Sequence, residues 1–548
     1  MHTQVDLASD STARLAMLAG SDGVDTIPQL HVNGKVKRKE GERAEARCDL
    51  DLPLAHTSPI HFLARRRLQH LPGNGGLWRT GRCLEAERMM GAESLPFPAG
   101  DALAFTRAAL ASSTPGGRTV AAWLDPAAPP TAWADARTAA WEQLHTGPWR
   151  EVAGVWRDAY GAACVLGGRQ LLLEEQGGDD EQPEGRAPPS ALAALDLADR
   201  ALMMGGLAFH PAAHALAAVA EARLKAASDA AIAALPPAWP TPLPPPLPPG
   251  SLAGPPGARI PGPPALPSLS DFAEAYLPSS LRPHGAPVLL AGLASAWPAR
   301  AAWATPAGLA SAVGPHRTVP VELGAHYLAD EWGQQLQRFG RFVAAGMVRE
   351  GEAGGGGNAD HPAPVSYLAQ HDLLSQVPAL RASILTPDYC ALPASGSSSR
   401  DGGAGGAGSA EEGPAAAPPT VNVWFGPAGT VSPPHTDPHA NLLVQVVGAK
   451  YVRLYAPGDG DAGLAPPPAA GAGAGAPPGL RSAADALLTN TSRVDLASLH
   501  PSPGAPSPAG LPFWDALIHP GEAVFIPRGW WHYVQALEPS ASISFWWD

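Results

Sequence analysis

From about residue 268 onward the chain breaks into short runs of β-branched and aromatic residues: APVLLAGL, RTVPVEL, TVNVWFG, NLLVQVVG, KYVRLYAP, EAVFIP, HYVQAL and ASISFWWD. Turn residues separate them, which predicts an all-β sandwich or barrel. In KYVRLY the alternation puts Lys450, Val452 and Leu454 on one face. Gly448-Ala449 between LLVQVV and KYVRLY predicts a two-residue hairpin with glycine first. Residues 96–234 follow a different period. Trp149, Val152, Val155, Trp156 and Tyr160 recur at three- and four-residue steps, predicting an amphipathic helix with Thr146 and Pro148 as its N-terminal signal. This part reads as an α-helical N-terminal domain. Residues 1–95 lack periodicity and are expected to be disordered. The stretch 235–267 is so rich in proline that it predicts an extended linker. Three Gly/Ala/Pro-rich inserts, near 350–360, 394–419 and 457–480, interrupt the 268–548 β domain and are expected to be surface loops, whose closure adds little cost.

Composition narrows the classes. Of 548 residues, 60 are Gly and 63 Pro, so much of the chain cannot pack a core. The formal charge of −13 gives no global basic field for nucleic acid. The basic runs KVKRKEGER and RRR (65–67) read as solvated segments, with nuclear import as the sharper alternative. Four cysteines, Cys48, Cys83, Cys164 and Cys390, form no CxxC pair, against a disulfide framework or a structural zinc site. The first residues lack the apolar core of a secretory signal. The apolar stretch at 201–224 carries two His and a Pro, unlike a membrane span. A nuclear or cytosolic protein, neither secreted nor membrane-bound, is expected.

The segment SPPHTDPHAN (432–441) crowds metal-binding groups between apolar runs. Oxygen-activating Fe(II) sites use two imidazoles and one carboxylate and leave other positions open. On a strand, residues i and i+2 point the same way, so H-x-D delivers two ligands from one strand end. Of 18 histidines, His435 is the one with an aspartate two positions on, Asp437. The distal candidate is His532 in PGEAVFIPRGWWHYV, where a strand, a turn and a second strand bring an imidazole beside bulky aromatics. Alone, His532 reads as a core histidine; with His435 and Asp437 in one β domain, the metal reading prevails. His439 reads as a bystander.

The segments WFGPAGTVSPPHTDPHANLLVQVVGAKYVRLYAP and PGEAVFIPRGWWHYVQALEPSASISFWWD resemble a Jumonji-C domain. More narrowly they are similar to the family of Jumonji domain-containing protein five, also called lysine-specific demethylase eight. The likeness extends through YLAQHDLLSQVPALRASILTPDYC and, in the helical part, WEQLHTGPWREVAGVWRDAYGAACVL. The resemblance implies a cupin-like double-stranded β-helix that binds Fe(II) through His435, Asp437 and His532, with 2-oxoglutarate and O2 as cosubstrates. It implies Lys450 for the distal carboxylate of 2-oxoglutarate, Tyr327, Ser432 and Asn441 around the same molecule, and Trp546 closing the pocket. A lysine on the apolar face of KYVRLY is an odd placement without a partner.

The family has two assigned outcomes, hydroxylation of an arginine side chain and demethylation of histone lysine, the latter a chromatin-regulating activity. An arginine substrate calls for a carboxylate and a stacking aromatic. Glu322, Asp330, Glu331, Trp303 and Trp424 are the candidates. The favoured expectation is a protein arginyl hydroxylase, with a methyl-lysine demethylase as the alternative. A non-catalytic protein-binding module on the same fold would be expected to lose a metal ligand or Lys450, and both are kept. The helical domain is expected to recruit a protein partner that the sequence does not name.

Overall fold

The computed structural model describes residues 25–26, 100–113, 116–147, 151–174, 187–252, 257–324, 332–348, 365–394, 417–464, 490–492, 494–496 and 510–548. The expected disorder over 1–95 and the insert at 350–360 lie outside these residues, apart from the two-residue strand Asp25–Thr26. The same is true of most of the other two inserts.

Among the described residues the N-terminal part is built of the α-helices α1 (Gly100–Ser113), α2 (Gly117–Trp123), α3 (Pro130–Leu144), α4 (Gly154–Glu174), α5 (Pro189–Met204), α6 (His210–Arg223) and α7 (Lys225–Ala233), with a short 3-10 turn at Leu207–Phe209. Helix α4 is the central one, and residues Tyr160 to Leu166 along it are all buried. Small residues on α4, Gly161, Ala162 and Ala163, let its neighbours approach closely. The helix begins later than the periodicity predicts. Thr146 does not cap it, because its hydroxyl donates to Glu142 O at 2.7 Å and so closes α3. Gly147, at φ 81, then turns the chain.

The C-terminal part is a two-sheet sandwich of cupin type. Its strands are β1 (Gly257–Arg259), β2 (Val288–Leu290), β3 (Thr318–Leu323), β4 (Gly333–Arg338), β5 (Ser366–His371), β6 (Thr420–Gly426), β7 (Val431–Thr436), β8 (Ala440–Val447), β9 (Lys450–Tyr455), β10 (Phe513–Ile518), β11 (Ala523–Ile526), β12 (Trp531–Ala536) and β13 (Ser540–Trp547). The larger sheet runs β4-β3-β5-β6-β13-β8-β11-β2, with Asp25–Thr26 on the β4 edge, and the smaller runs β1-β10-β9-β12-β7. Val452, Leu454, Ala516 and Ile518 of the smaller sheet meet Leu443, Val524 and Ile526 of the larger one between them. The outer face of the larger sheet is covered by helices through Phe272, Trp297, Trp303 and Phe339. Strand β8 is therefore buried on both faces, which is why ANLLVQVV reads as an apolar run with little alternation.

Two connections differ from expectation. Strands β8 and β9 are not a hairpin: β8 pairs β11 and β13, while β9 pairs β10 and β12. Gly448-Ala449 carries the chain from one sheet to the other. Gly448 sits at φ 67, and a Cβ there would lie 2.1 Å from Pro539 O, so the crossing needs glycine.

The proline-rich segment is no free spacer where it is described. Extended proline backbone leaves its carbonyls unpaired, and buried donors of the smaller sheet take them. Gln535 donates to Pro246 O at 3.1 Å, and one Arg453 nitrogen to Pro248 O and Pro249 O at 3.3 and 3.0 Å. Leu252 N then donates to Asp515 Oδ2 at 2.7 Å, and Gly257–Arg259 adds a parallel strand beside Phe513–Asp515. The start of the 457–480 insert is also ordered. Asp459–Leu464 forms a short helix whose Asp461 accepts from the Trp531 indole at 2.7 Å.

Candidate metal centre and its pocket

Strands β7 and β12 are antiparallel neighbours in which His435 and His532 are direct cross-strand partners. Opposed residues on one face lie about 5 Å apart, and the two rings meet with centroids 4.0 Å apart. Asp437 follows two residues after His435, on the same side at the strand end. His435, Asp437 and His532 each offer a ligand atom, all within 4.8 Å of one another.

The tautomers are set by the backbone. His435 Nδ1 lies 2.8 Å from Pro433 O and His532 Nδ1 lies 3.0 Å from Trp530 O. A carbonyl only accepts, so each Nδ1 carries the hydrogen and each Nε2 is turned inward; burial lowers the His532 pKa, but the facing Asp437 carboxylate outweighs it and raises it. Burial first, and the nearby His532 second, push the His435 pKa down to about 4, which keeps it neutral. Burial would raise Asp437, but contact with the His532 imidazole outweighs it and leaves the carboxyl below its ordinary pKa. Asp437 Oδ2 is buried without a hydrogen bond of ordinary geometry, and His532 Nε2 lies 3.5 Å from it. Two inward ring nitrogens, each oriented by a backbone carbonyl behind it, and an ionised carboxylate suit a divalent cation, whose binding displaces any proton held between His532 and Asp437.

Beyond the triad lies a recess lined by Tyr367, Ser432, Asn441, Lys450, His532 and Trp546. Lys450 opens β9 and is 2 % exposed. Burial alone drives its pKa down to about 7, and its hydrogen-bond contact is the Tyr367 hydroxyl at 3.4 Å. Ser432 lines the same recess as Tyr367. Asn441 Oδ1 and Trp546 Nε1 are buried without partners. A buried cation lacking a carboxylate, beside unmatched amide and indole groups, fits a small dianionic ligand.

The outer cavity, about 460 Å³, is lined by Glu322, Trp332, Tyr367, Gln370, Trp424 and His435, among others. Glu322 accepts from the Trp332 indole at 3.3 Å, and burial raises its pKa. Trp424 lines this cavity and donates to Ser544 at 2.9 Å.

Not every expected site residue is here. Tyr327, Asp330 and Glu331 lie outside the described residues. The tyrosine beside Lys450 is Tyr367 of YLAQH, which the sequence alone did not single out. The available signal was its place in a strand-like run of the β domain, now seen as β5. Trp303 is not a pocket residue. It is fully buried and packs edge-on against Phe425 at 5.7 Å in the core behind the larger sheet. His439 bonds Asp548 at 2.9 Å at the mouth of the cavity and is no part of the metal group.

A family described as "Cupin-like domain" matches residues 274–548, and one described as "KDM8-like, N-terminal ARM repeats" matches residues 116–233. The Arabidopsis thaliana protein "Lysine-specific demethylase JMJ30" is 33% identical over 435 residues, covering 75% of this chain and 85% of its own. The chain belongs to the JmjC family. A Drosophila melanogaster relative, "Jumonji C domain-containing protein 5", is 37% identical over 48% of this chain and 55% of its own. The Danio rerio "Lysine-specific demethylase 8" is 29% identical over 74% and 85%. JmjC proteins depend on Fe(II) and 2-oxoglutarate, and the donor set and the buried lysine of this chain are chemically suited to that pair. Among the described residues no helix is long and apolar enough to cross a membrane.

Proposed function

We propose that this JmjC protein hydroxylates an arginine side chain of a protein substrate, in the nucleus or cytosol. His435, Asp437 and His532 hold iron. Lys450, Tyr367, Ser432 and Asn441 hold 2-oxoglutarate, with Trp546 against it. Bound iron, together with 2-oxoglutarate and O2, supplies oxidative decarboxylation to succinate and CO2 and the transfer of one oxygen atom to a substrate C–H bond.

The residues of the chain do the positioning. Lys450 neutralises the distal carboxylate, and the Tyr367 and Ser432 hydroxyls orient it. The aromatic walls, Trp424 and Trp332, exclude water from the reacting carbon and offer faces to a planar cation. The observation that carries the arginine reading is Glu322. Among the described residues it is the carboxylate lining the outer cavity other than Asp437, and the Trp332 indole holds it in place. A guanidinium entering this cavity meets an acid and two indoles, the surroundings that suit a planar, permanently charged group.

The second reading, removal of a methyl group from histone lysine, draws on the names of the relatives. Oxygen placed on an N-methyl carbon gives a hemiaminal that releases formaldehyde, whereas oxygen on a methylene gives a stable alcohol. Mass spectrometry of arginine peptides and methyl-lysine histone peptides, incubated with Fe(II), 2-oxoglutarate and air, separates the two. A gain of one oxygen on arginine, lost in His435→Ala and reduced in Glu322→Gln, is expected. Loss of a methylene from methyl-lysine would transfer the assignment. Absence of any 2-oxoglutarate consumption would leave a protein-binding module.

A further inference from the structure

The interface between the helical part and the β sandwich buries a connected polar network. Asp199 of α5 is 0 % exposed. Its Oδ1 accepts from Arg317 Nε and from Gln376 Nε2, both at 2.8 Å, and its Oδ2 accepts from Thr318 N at 2.6 Å. Arg317 also donates to Gln376 O at 2.8 Å and reaches Glu221 of α6 at 3.3 Å. Gln376, 2 % exposed, gives its second amide hydrogen to Thr318 O at 2.7 Å. With both hydrogens engaged, its Oε1 can only accept, so His371 Nε2, 2.6 Å away, must be the donor.

This network touches the ends of two particular strands. Thr318 opens β3 and His371 closes β5, and the two strands are antiparallel with Glu322 opposite Tyr367. These strands carry Glu322, Tyr367 and Gln370, all on the outer cavity. Beside His371, the register of β5 on β6 shifts and Gln370 adopts a left-handed conformation at φ 50. A non-glycine residue holds that conformation when its surroundings over-determine it, and the His371–Gln376 bond is the fixed point next to it.

We propose that Asp199 of the helical part is a positioning residue for the pocket, holding β3 through Thr318 and β5 through the Gln376–His371 pair so that Glu322, Tyr367 and Gln370 keep their places. The inference rests on the pocket assignment above for its functional consequence, but not for its structural one. It gives the helical part a role in the reaction itself, apart from any recruitment of partners.

The test compares three full-length variants. Gln376→Met cuts the link to β5 and keeps the Asp199–Arg317 pair. Asp199→Asn weakens both links. Glu221→Gln loosens the same interface, through the 3.3 Å contact to Arg317, without touching the relay. Hydrogen exchange is read over residues 366–371, with 540–547 as the internal reference. The relay predicts exchange over 366–371 faster by about tenfold in Gln376→Met and Asp199→Asn, and unchanged in Glu221→Gln. In peptide-free turnover it predicts KM for 2-oxoglutarate raised roughly threefold or more with kcat within about twofold, since Tyr367 stands beside Lys450. Unchanged exchange in Gln376→Met, or an equal effect in Glu221→Gln, would overturn the relay. Because hydrogen exchange needs no substrate, a protein that oxidises no peptide in the panel would count against the arginine reading and leave this measurement decisive. Should Asp199→Asn fail to fold, Gln376→Met carries the test.

Discussion

Replacing Lys450 by methionine should make the protein more stable and 2-oxoglutarate binding much weaker. Lys450 is a cation in an apolar wall, and burial drags its pKa from 10.5 to about 7. At about 1.4 kcal/mol per pKa unit, the charged form is disfavoured by about 5 kcal/mol relative to the unfolded chain. The folded pKa is depressed, so between about pH 7 and 10.5 the unfolded chain binds more protons and stability rises with pH. At pH 7.5 the remaining cost is about 4 kcal/mol, and methionine, of similar length, removes it. At roughly 2 °C for each kcal/mol, the melting temperature of Lys450→Met should rise by up to about 8 °C at pH 7.5. The advantage should shrink toward pH 10.

Ligand binding reverses the balance. A carboxylate beside Lys450 restores the ammonium, so 2-oxoglutarate should bind with uptake of about 0.9 proton at pH 8 and about 0.1 at pH 6. Calorimetry of 2-oxoglutarate on the Mn(II)-loaded protein under nitrogen, in buffers of different ionisation enthalpy, counts that proton. Leaving the carboxylate without its cation should raise KM for 2-oxoglutarate by a factor of at least ~30 in Lys450→Met, equivalent to roughly 2 kcal/mol or more. A variant no more stable than the parent, with unchanged KM and no proton uptake at pH 8, would refute both the burial argument and the assignment of Lys450.

Three other outcomes are expected. His435→Ala should abolish stoichiometric Mn(II) binding, followed by electron paramagnetic resonance, while leaving the far-UV circular dichroism unchanged. Gly448→Ala must hold a Cβ against Pro539 O at φ 67 and should lose at least about 2 kcal/mol in urea denaturation. Arg453→Met strips the donor from Pro248 O, Pro249 O and the Ser251 hydroxyl. It should cost about 3 kcal/mol and speed thermolysin cleavage near Leu243 and Leu247.

Legibility in the sequence followed the range of the interactions. The β sandwich shows in short apolar runs, and the metal group in H-x-D, because strand alternation is a local rule. Lys450 betrays itself by sitting in phase with Val452 and Leu454. What escapes depends on distant segments. Trp303 and Trp424 look alike as tryptophans, yet one faces helices across the larger sheet and the other faces the cavity. Gly448-Ala449 has the composition of a hairpin, and only the pairing of β8 and β9 with other strands shows that the chain is changing sheets. The proline segment reads as a spacer because its carbonyl partners, Arg453 and Gln535, lie some 200 to 290 residues away. Tyr367 is separated from Lys450 by 83 residues, so no spacing rule could bring the two together.

The charges of the pocket also give it a direction. Its inner recess holds a buried amine, and its outer cavity holds Glu322, with His435 and Asp437 lining both. On the proposed assignment a dianion is drawn past the metal ligands to Lys450 and repelled from the outer wall, while a cationic side chain is held outside. Reversing the outer charge alone, with Glu322→Lys, should turn away a cationic peptide while peptide-free 2-oxoglutarate turnover continues. If turnover of an arginine peptide survived that reversal, Glu322 would not face the substrate, and the arginine reading would lose the observation that carries it.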